Sequence, residues 1–164
     1  MSAASFARAQ LLAVRGQGGE ALCALDEVLA DDPRHLGALL LKAEVLLDAR
    51  EGEEATALCR QAVGAWPRST EARNALARCL HALGDDAGAL ESAEEARRLL
   101  GEGDNFRHAA PVYLTLVWCL REGRRFKEAL AMAEEGLARV PDAVLAEWAA
   151  VVEQELAEAE KERC

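Results

Sequence analysis

Residues 36–67, LGALLLKAEVLLDAREGEEATALCRQAVGAWP, contain two amphipathic stretches separated by a short polar break. Apolar residues three and four positions apart share one face of a helix, so their spacing predicts helices over 36–49 and 54–65. The residues on the two apolar faces are Leu39, Ala43, Leu46 and Leu47, then Ala55, Leu58, Ala62 and Val63. Pro67 marks the end of the second helix, because proline has no amide hydrogen to donate. The stretch therefore predicts a helix–turn–helix unit.

Three columns of residues repeat this unit along the chain. They are Ala21, Ala55, Ala89 and Ala129; then Ala9, Ala43, Ala77 and Val117; then Pro33, Pro67 and Pro141. Intervals within the first column are 34, 34 and 40 residues. Because alanine lets two helix backbones approach closely, the columns predict helix crossings at the same place in every unit. Such a period predicts a solenoid of stacked helical pairs.

The repeated unit resembles that of the tetratricopeptide-repeat family. The second unit matches as Leu39, Ala43, Leu46, Ala55, Ala62 and Pro67, and the fourth as Tyr113, Leu116, Leu120, Ala129, Gly136 and Pro141. The resemblance implies an all-α, right-handed α-solenoid of about four helix–turn–helix repeats in a single domain, 1–164. The implied repeats cover about 2–35, 36–69, 70–103 and 110–143, with an insertion at about 101–109 and a C-terminal capping helix at about 142–162.

Several residues predict where helices end and begin. Gly16 and Gly84 lie in the breaks of the first and third units, where a helix end favours a left-handed residue. Asp142 is the predicted N-cap of the last helix. That helix has a predicted apolar stripe of Val144, Leu145, Trp148, Val152 and Leu156. Its glutamate-rich opposite face would meet water, as a capping helix requires.

The composition argues against several functional classes. The formal net charge of −10 disfavours nucleic acid, since a duplex binder needs a basic surface. No apolar run is long enough for membrane insertion, and residues 1–14 lack a signal-peptide pattern, so we expect a cytoplasmic protein. Four cysteines, Cys23, Cys59, Cys79 and Cys119, fall on apolar helical positions and are predicted core thiols. Cys164, after a charged tail, is predicted to be exposed.

The sequence contains no pattern of reactive groups. His35, His81 and His108 lie in different units without further ligands at metal-binding spacing. Acidic pairs such as Glu53 and Glu54 are typical of solvated helix faces rather than general acids. We therefore expect no catalytic residues, no cofactor and no metal, and a protein that is not an enzyme.

The family resemblance implies a partner-binding groove along the first helix of each pair. The implied groove residues are Phe6, Gln10, Leu40, Leu41, Glu44, Asn74, Arg78, His81, Leu114, Trp118 and Arg121. Trp118 and Arg78 are the predicted energetic centres, because tryptophan and arginine often dominate binding energy. Packing of Trp118 into the core is the alternative, whereas Trp66 and Trp148 are predicted to be structural.

The charges and side-chain types of the first helices limit which partners we expect to bind. The first helices sum to about plus two, which predicts a peptide or helical segment with apolar anchors and neutral or mildly acidic character. Some family members grip a C-terminal carboxylate with a basic clamp. The matching positions here are Phe6, Gln10, Leu41, Glu71 and Ala75, and none is basic, so we do not expect that mode.

The leading functional hypothesis is a protein–protein adaptor or scaffold in a bacterial cytoplasm. A second hypothesis is a small acidic secretion chaperone of the type III translocator-chaperone kind, to which the chain is similar in size, charge and repeat class. The third is a structural solenoid that self-assembles as a homo-oligomer. The sequence does not distinguish between these three hypotheses.

Overall fold

The computed structural model describes residues 2–101 and 106–162. These ranges form nine α-helices and no strand: α1 (Ser2–Val14), α2 (Gly18–Asp31), α3 (Leu36–Asp48), α4 (Gly52–Ala65), α5 (Thr70–Ala82), α6 (Asp86–Leu99), α7 (Phe106–Glu122), α8 (Phe126–Arg139) and α9 (Ala143–Lys161). The predicted all-α solenoid of helical repeats is confirmed.

Helices pack as sequential hairpins, and their further contacts curve the array. Each odd-numbered helix also contacts the next odd-numbered helix, from α1 through to α9. Within the described ranges, successive even-numbered helices make no such contact. The odd-numbered helices are therefore closer together, and the face formed by α1, α3, α5 and α7 is the concave face.

The two columns of small residues lie where the helices cross. Ala9, Ala43, Ala77, Val117, Ala21, Ala55, Ala89 and Ala129 are each at most 1% exposed. Larger apolar side chains surround them, including the fully buried Leu25, Leu39 and Leu116. The core is thus a continuous row of small clusters, each shared between neighbouring helical pairs.

The turn inside each pair places one residue in the left-handed region. Gly16 and Gly84 have φ of 72° and 79°, as their positions in the sequence predict. At the equivalent turns, Arg50 and Arg124 have φ of 64° and 56°. For a residue with a Cβ this conformation costs roughly 1–2 kcal/mol, so packing of the flanking helices must stabilise it.

The loops between pairs are joined by side-chain hydrogen bonds on the opposite edge. The Trp66 indole donates to the Arg34 carbonyl at 3.0 Å, and the Arg34 guanidinium donates to the Ala65 carbonyl at 3.1 Å. Trp66 is nevertheless 46% exposed, so it joins the two loops by its hydrogen bond and lies outside the core. Asp142 caps α9 as predicted, since its carboxylate accepts from the Leu145 amide at 2.8 Å.

Three expectations need correction or comparison. Cys23 is exposed rather than buried, because it lies on the face of α2 nearly opposite the buried Ala21 and Leu25. α7 begins at Phe106, four residues before the expected start of the fourth repeat, and with 17 residues it is longer than the preceding first helices. Residues 102–105 of the expected insertion, and Cys164, lie outside the described residues, and 106–109 belong to α7.

A polar network joins α6, α7 and α8 beside the core. The hydroxyl of the fully buried Tyr113 donates to the Glu135 carboxylate at 2.7 Å, and Arg97 donates to the same carboxylate at 3.0 Å. Burial opposes ionisation of Glu135, but the hydrogen bonds from Tyr113 and Arg97 outweigh it and lower the pKa of this carboxyl. Burial and the hydrogen bond to Glu135 raise the pKa of Tyr113 to about 12.

Tyr113 is the single tyrosine of the chain, so its ionisation can be followed directly by ultraviolet absorbance. We expect a midpoint near pH 12 in the native protein and near the ordinary value of about 10 in urea. The folded state holds the proton more tightly than the unfolded state. Stability from this group is therefore fully present below about pH 10 and lost as pH rises towards 12.

The Glu135→Gln variant is the control for the tyrosine titration. Removing the carboxylate should bring the native midpoint back towards that of the unfolded chain. A native midpoint that already matches the value in urea would contradict the buried network.

Gly136 offers a second test, because α8 packs there without room for a side chain. An added Cβ would lie 2.6 Å from Leu145 Cδ2 and 2.8 Å from Tyr113 Cβ, and Tyr113 is fully buried. Overpacking should outweigh the gain in helix propensity, so Gly136→Ala should lower the free energy of unfolding by roughly 1–2 kcal/mol. Urea unfolding followed by circular dichroism measures the change.

Gly64→Ala in α4 is the matched control. An added Cβ there has no neighbour within 4 Å, so the substitution should be neutral or stabilise by up to about 1 kcal/mol. Equal effects at both glycines would contradict the packing at α8.

Candidate partner-binding groove

The concave face contains a cavity of about 340 Å³ between α1, α3, α5 and α7, here called the first cavity. Predicted groove residues that line it are Phe6, Gln10, Leu40, Leu41, Glu44, Asn74 and Arg78. The helical period explains the grouping, because residues four apart on α5 share the inward face. The structure thus brings seven of the eleven predicted residues around one space.

A second cavity, of about 350 Å³, adjoins the first towards α9. It is lined by Asn74, Arg78, Pro111, Leu114, Thr115, Trp118, Val144 and Trp148. Asn74, Arg78 and Pro111 also line the first cavity, so the two cavities adjoin each other at these residues. Together they form the candidate groove.

Trp118 lies in the groove rather than in the core. Its side chain is 37% exposed and lines the second cavity. The His81 ring packs edge-on against it with ring centroids 4.1 Å apart, and His81 in turn lies 2.9 Å from an Asp86 carboxylate oxygen. His81 therefore contacts the Trp118 ring but lines neither cavity.

Asn74 is the buried polar residue where the two cavities meet. It is 9% exposed, and its Oδ1 has no hydrogen-bond partner among the described residues. An amide offers both donors and acceptors, and leaving one buried and unpaired costs free energy. A bound segment that supplied a polar backbone group at this point would remove that cost.

The charge of the groove differs from the charge of its helices. The first cavity is lined by Glu44, Glu71, Arg78 and His108. Arg78 lies 3.7 Å from Glu44, and His108 lies 3.2 Å from Glu71. With neutral histidine, one arginine against two glutamates gives a local charge of −1.

The cations that give the first helices their net positive charge lie mostly elsewhere. Lys42 is bonded to Asp26 on α2, and Arg121 is bonded to Glu155 on α9. Arg8 and Arg73 line neither cavity. Summing charge over whole helices therefore overestimates the positive character of the groove, because only one face of each helix lines it.

Arg121 occupies a different place from the one implied by the resemblance. Its Nε and Nη2 atoms donate to Glu155 at 2.8 and 2.6 Å, and its guanidinium lies 5.2 Å from the centre of the Trp148 ring. It lines neither cavity of the groove. Arg121 instead attaches the capping helix to the last repeat.

The sequence reasoning missed the contribution of α9 to the groove. Val144 is 50% exposed and, with Trp148, lines the second cavity. Leu145 and Val152 form the buried stripe, so Val144 does not belong to it. Adjacent helical residues point about 100° apart, and the apolar pattern alone does not tell which of the two is covered.

Metal-binding clusters and membrane-spanning helices are both absent from the described ranges. No group of three His, Cys, Asp or Glu residues there could hold a metal ion. None of the helices in these ranges has the length and apolar character that crossing a membrane requires.

A family model for the tetratricopeptide repeat matches residues 6–70 and 55–104. The chain belongs to the tetratricopeptide-repeat family. Tetratricopeptide repeats generally act as non-enzymatic protein–protein interaction modules, and the fold supports that role. No curated protein matches the chain at the level of sequence.

Solved tetratricopeptide-repeat structures share the fold at low sequence identity. The Thermus thermophilus protein TTC0263, described as a thermophilic TPR protein, has a TM-score of 0.81 and 19% identity, over 95% of this chain and 83% of its own. YrrB, described as a TPR protein with an unusual peptide-binding site, has a TM-score of 0.65 and 22% identity, over 96% and 78%.

A third structure contains a bound peptide. The first TPR of Spaghetti (RPAP3), bound to the HSP90 peptide SRMEEVD, has a TM-score of 0.64 and 17% identity. The match covers 74% of this chain and 91% of that one. At these identities the three likenesses show the tetratricopeptide fold alone.

The attachment of the capping helix generates a prediction. Arg121→Gln removes a bidentate, partly buried ion pair and the stacking on Trp148, and should lower the free energy of unfolding by roughly 1–2 kcal/mol. Amide hydrogen exchange should accelerate first in α9.

Lys127→Gln is the matched control, because Lys127 also reaches α9 through a 3.0 Å contact with Glu160, but its side chain is 75% exposed. Exposed pairs contribute little, so this variant should unfold like the wild type. Equal losses in the two variants would argue against a special role of Arg121.

Proposed function

We propose that this tetratricopeptide-repeat protein is an adaptor that binds an apolar peptide or helical segment of another protein along its concave face. The observation that carries the proposal is the pair of adjoining cavities, with Asn74 lining both and Trp118 lining the second. An exposed tryptophan supplies contact area, and a buried amide supplies a polar anchor.

The shape and lining of the groove support a segment with at least two apolar side chains. The first cavity offers Phe6 and Leu40 as apolar walls, whereas the second offers Leu114, Trp118 and Val144. A chain that fills both cavities must cross Asn74 between them. Its backbone could then hydrogen-bond to the Asn74 amide while its side chains occupy the two spaces.

The local charge favours a neutral segment over an acidic one. Glu44 and Glu71 line the first cavity, and Arg78 already lies beside Glu44. An acidic peptide of the SRMEEVD kind, seen with the structural relative, would place like charges together. We therefore propose neutral or weakly basic character for the partner, in place of the mildly acidic character expected from the sequence.

A displayed random-peptide library, selected on the immobilised full chain, tests this function. We expect enriched peptides to contain spaced apolar residues and few acidic ones. With one enriched peptide, Trp118→Ala should weaken binding at least about tenfold, and Asn74→Ala should weaken it severalfold. Titration calorimetry measures both changes.

Trp66→Ala separates loss of binding from loss of stability. Trp66 is an exposed tryptophan outside the groove, and its hydrogen bond to Arg34 joins two loops. This variant should be less stable but should bind the peptide as the wild type does. If Trp118→Ala binds normally, or if both tryptophan variants lose binding alike, the groove is not the functional site.

A further inference from the structure

Two thiols face each other under the floor of the first cavity. Cys59 on α4 and Cys79 on α5 have their Sγ atoms 3.4 Å apart, and both side chains are fully buried. Both residues line the first cavity from below. They belong to different helical pairs, so they meet at the junction between the second and third repeats.

The other described cysteines lack such a partner. Cys119 is buried in the same cluster, and burial raises its pKa to about 11, which keeps it a thiol. Cys23 is exposed on α2, in a different part of the array. The close contact therefore singles out one pair.

We propose that Cys59 and Cys79 form a reversible disulfide that links the second repeat to the third when a small peroxide reaches the first cavity. The Sγ atoms must move from 3.4 Å to about 2.05 Å, a shift of little more than 1 Å that side-chain rotation can supply. The crosslink would close a loop of about 20 residues through the turn between α4 and α5.

The reaction balances with hydrogen peroxide as oxidant. The Cys79 thiolate sulfur attacks one peroxide oxygen, the O–O bond breaks, and hydroxide leaves, which gives a sulfenic acid. The Cys59 sulfur then attacks the sulfenic sulfur, and the S–S bond forms as the S–O bond breaks. The hydroxide takes up the proton that Cys79 released, and the hydroxyl that departs from the sulfenic acid takes up the proton of Cys59, so two water molecules form. Two sulfurs are thus oxidised, and one peroxide is reduced.

The surroundings favour Cys79 as the attacking sulfur. A hydrogen bond from Cys59 lowers the pKa of Cys79; burial opposes this, and the charge of the neighbouring Arg78 assists it. The same hydrogen bond and burial raise the pKa of Cys59. The pair thus divides into a thiolate-prone member and a thiol that resolves the sulfenic acid.

The consequence for the fold is a fixed angle between two repeats. In the reduced state α4 and α5 are held at this point by packing and by the weak hydrogen bond between the two thiols. A covalent bond there would limit opening between the repeats under Asn74 and Arg78, which lie on α5 with Cys79. Oxidation would raise the thermal midpoint by roughly 5–10 °C, and reduction would reverse the rise.

The test uses the fully reduced, full-length chain treated with hydrogen peroxide. Intact mass should fall by two hydrogen atoms, and peptide mapping without reduction should recover a fragment in which Cys59 is linked to Cys79. Dithiothreitol should restore the mass. The same treatment in concentrated urea should give mixed pairings, because the native approach of the two thiols is lost.

Two variants test which sulfur atoms form the crosslink. Cys79→Ser should abolish the loss of two hydrogens and leave Cys59 unoxidised or with added oxygen, whereas Cys119→Ser should preserve the crosslink. Oxygen addition at Cys59 or Cys79 without a crosslink, a native crosslink to Cys119 or Cys23, or the same pairing pattern in urea would each overturn the proposal.

Discussion

Close approach of helices at the alanine columns is the constraint on which the rest of the structure depends. Ala43 and Ala77 on one column, and Ala55 and Ala89 on the other, are fully or almost fully buried at successive crossings. Because these side chains are buried, a larger residue at any of them would overpack the crossing. The repeat therefore tolerates change around the crossings more readily than at them.

Curvature follows from the same contacts. The odd-numbered helices contact each other in series, so their side chains converge on the concave face, whereas those of the even-numbered helices spread apart. Residues such as Asn74 and Arg78, one helical turn apart on α5, are brought opposite Trp118 on α7 by this convergence. The groove is a consequence of how the repeats stack, and its specificity depends on which side chains happen to face inwards.

Repetition made much of this architecture predictable. Local sequence patterns predict three of its features: the alanine columns, the glycines of two turns and the N-cap at Asp142. Each of them depends on residues that are close in sequence. Nine of the eleven groove positions implied by the family resemblance line one of the two cavities. Their role in binding stays a prediction.

Features that depend on distant partners were not predictable in the same way. Arg50 and Arg124 adopt the left-handed turn without the glycine that usually signals it. Arg121 has a groove position by its register, but Glu155, 34 residues later, draws it to the capping helix. Charge is a related case, since the sequence gives the sum over a helix and only the fold tells which face carries it.

Two features of α5 are not explained by stability. Asn74 buries an acceptor without a partner where an apolar residue of similar size would avoid that penalty. Cys79 places a polarisable, oxidisable sulfur against Cys59, whose equivalents in the third and fourth repeats are the buried alanines Ala93 and Ala133. Both lie along the first cavity, on the helix that belongs to both cavities of the groove. Asn74 and Cys79 thus share one helix, and α5 is where segment binding and thiol oxidation would influence each other.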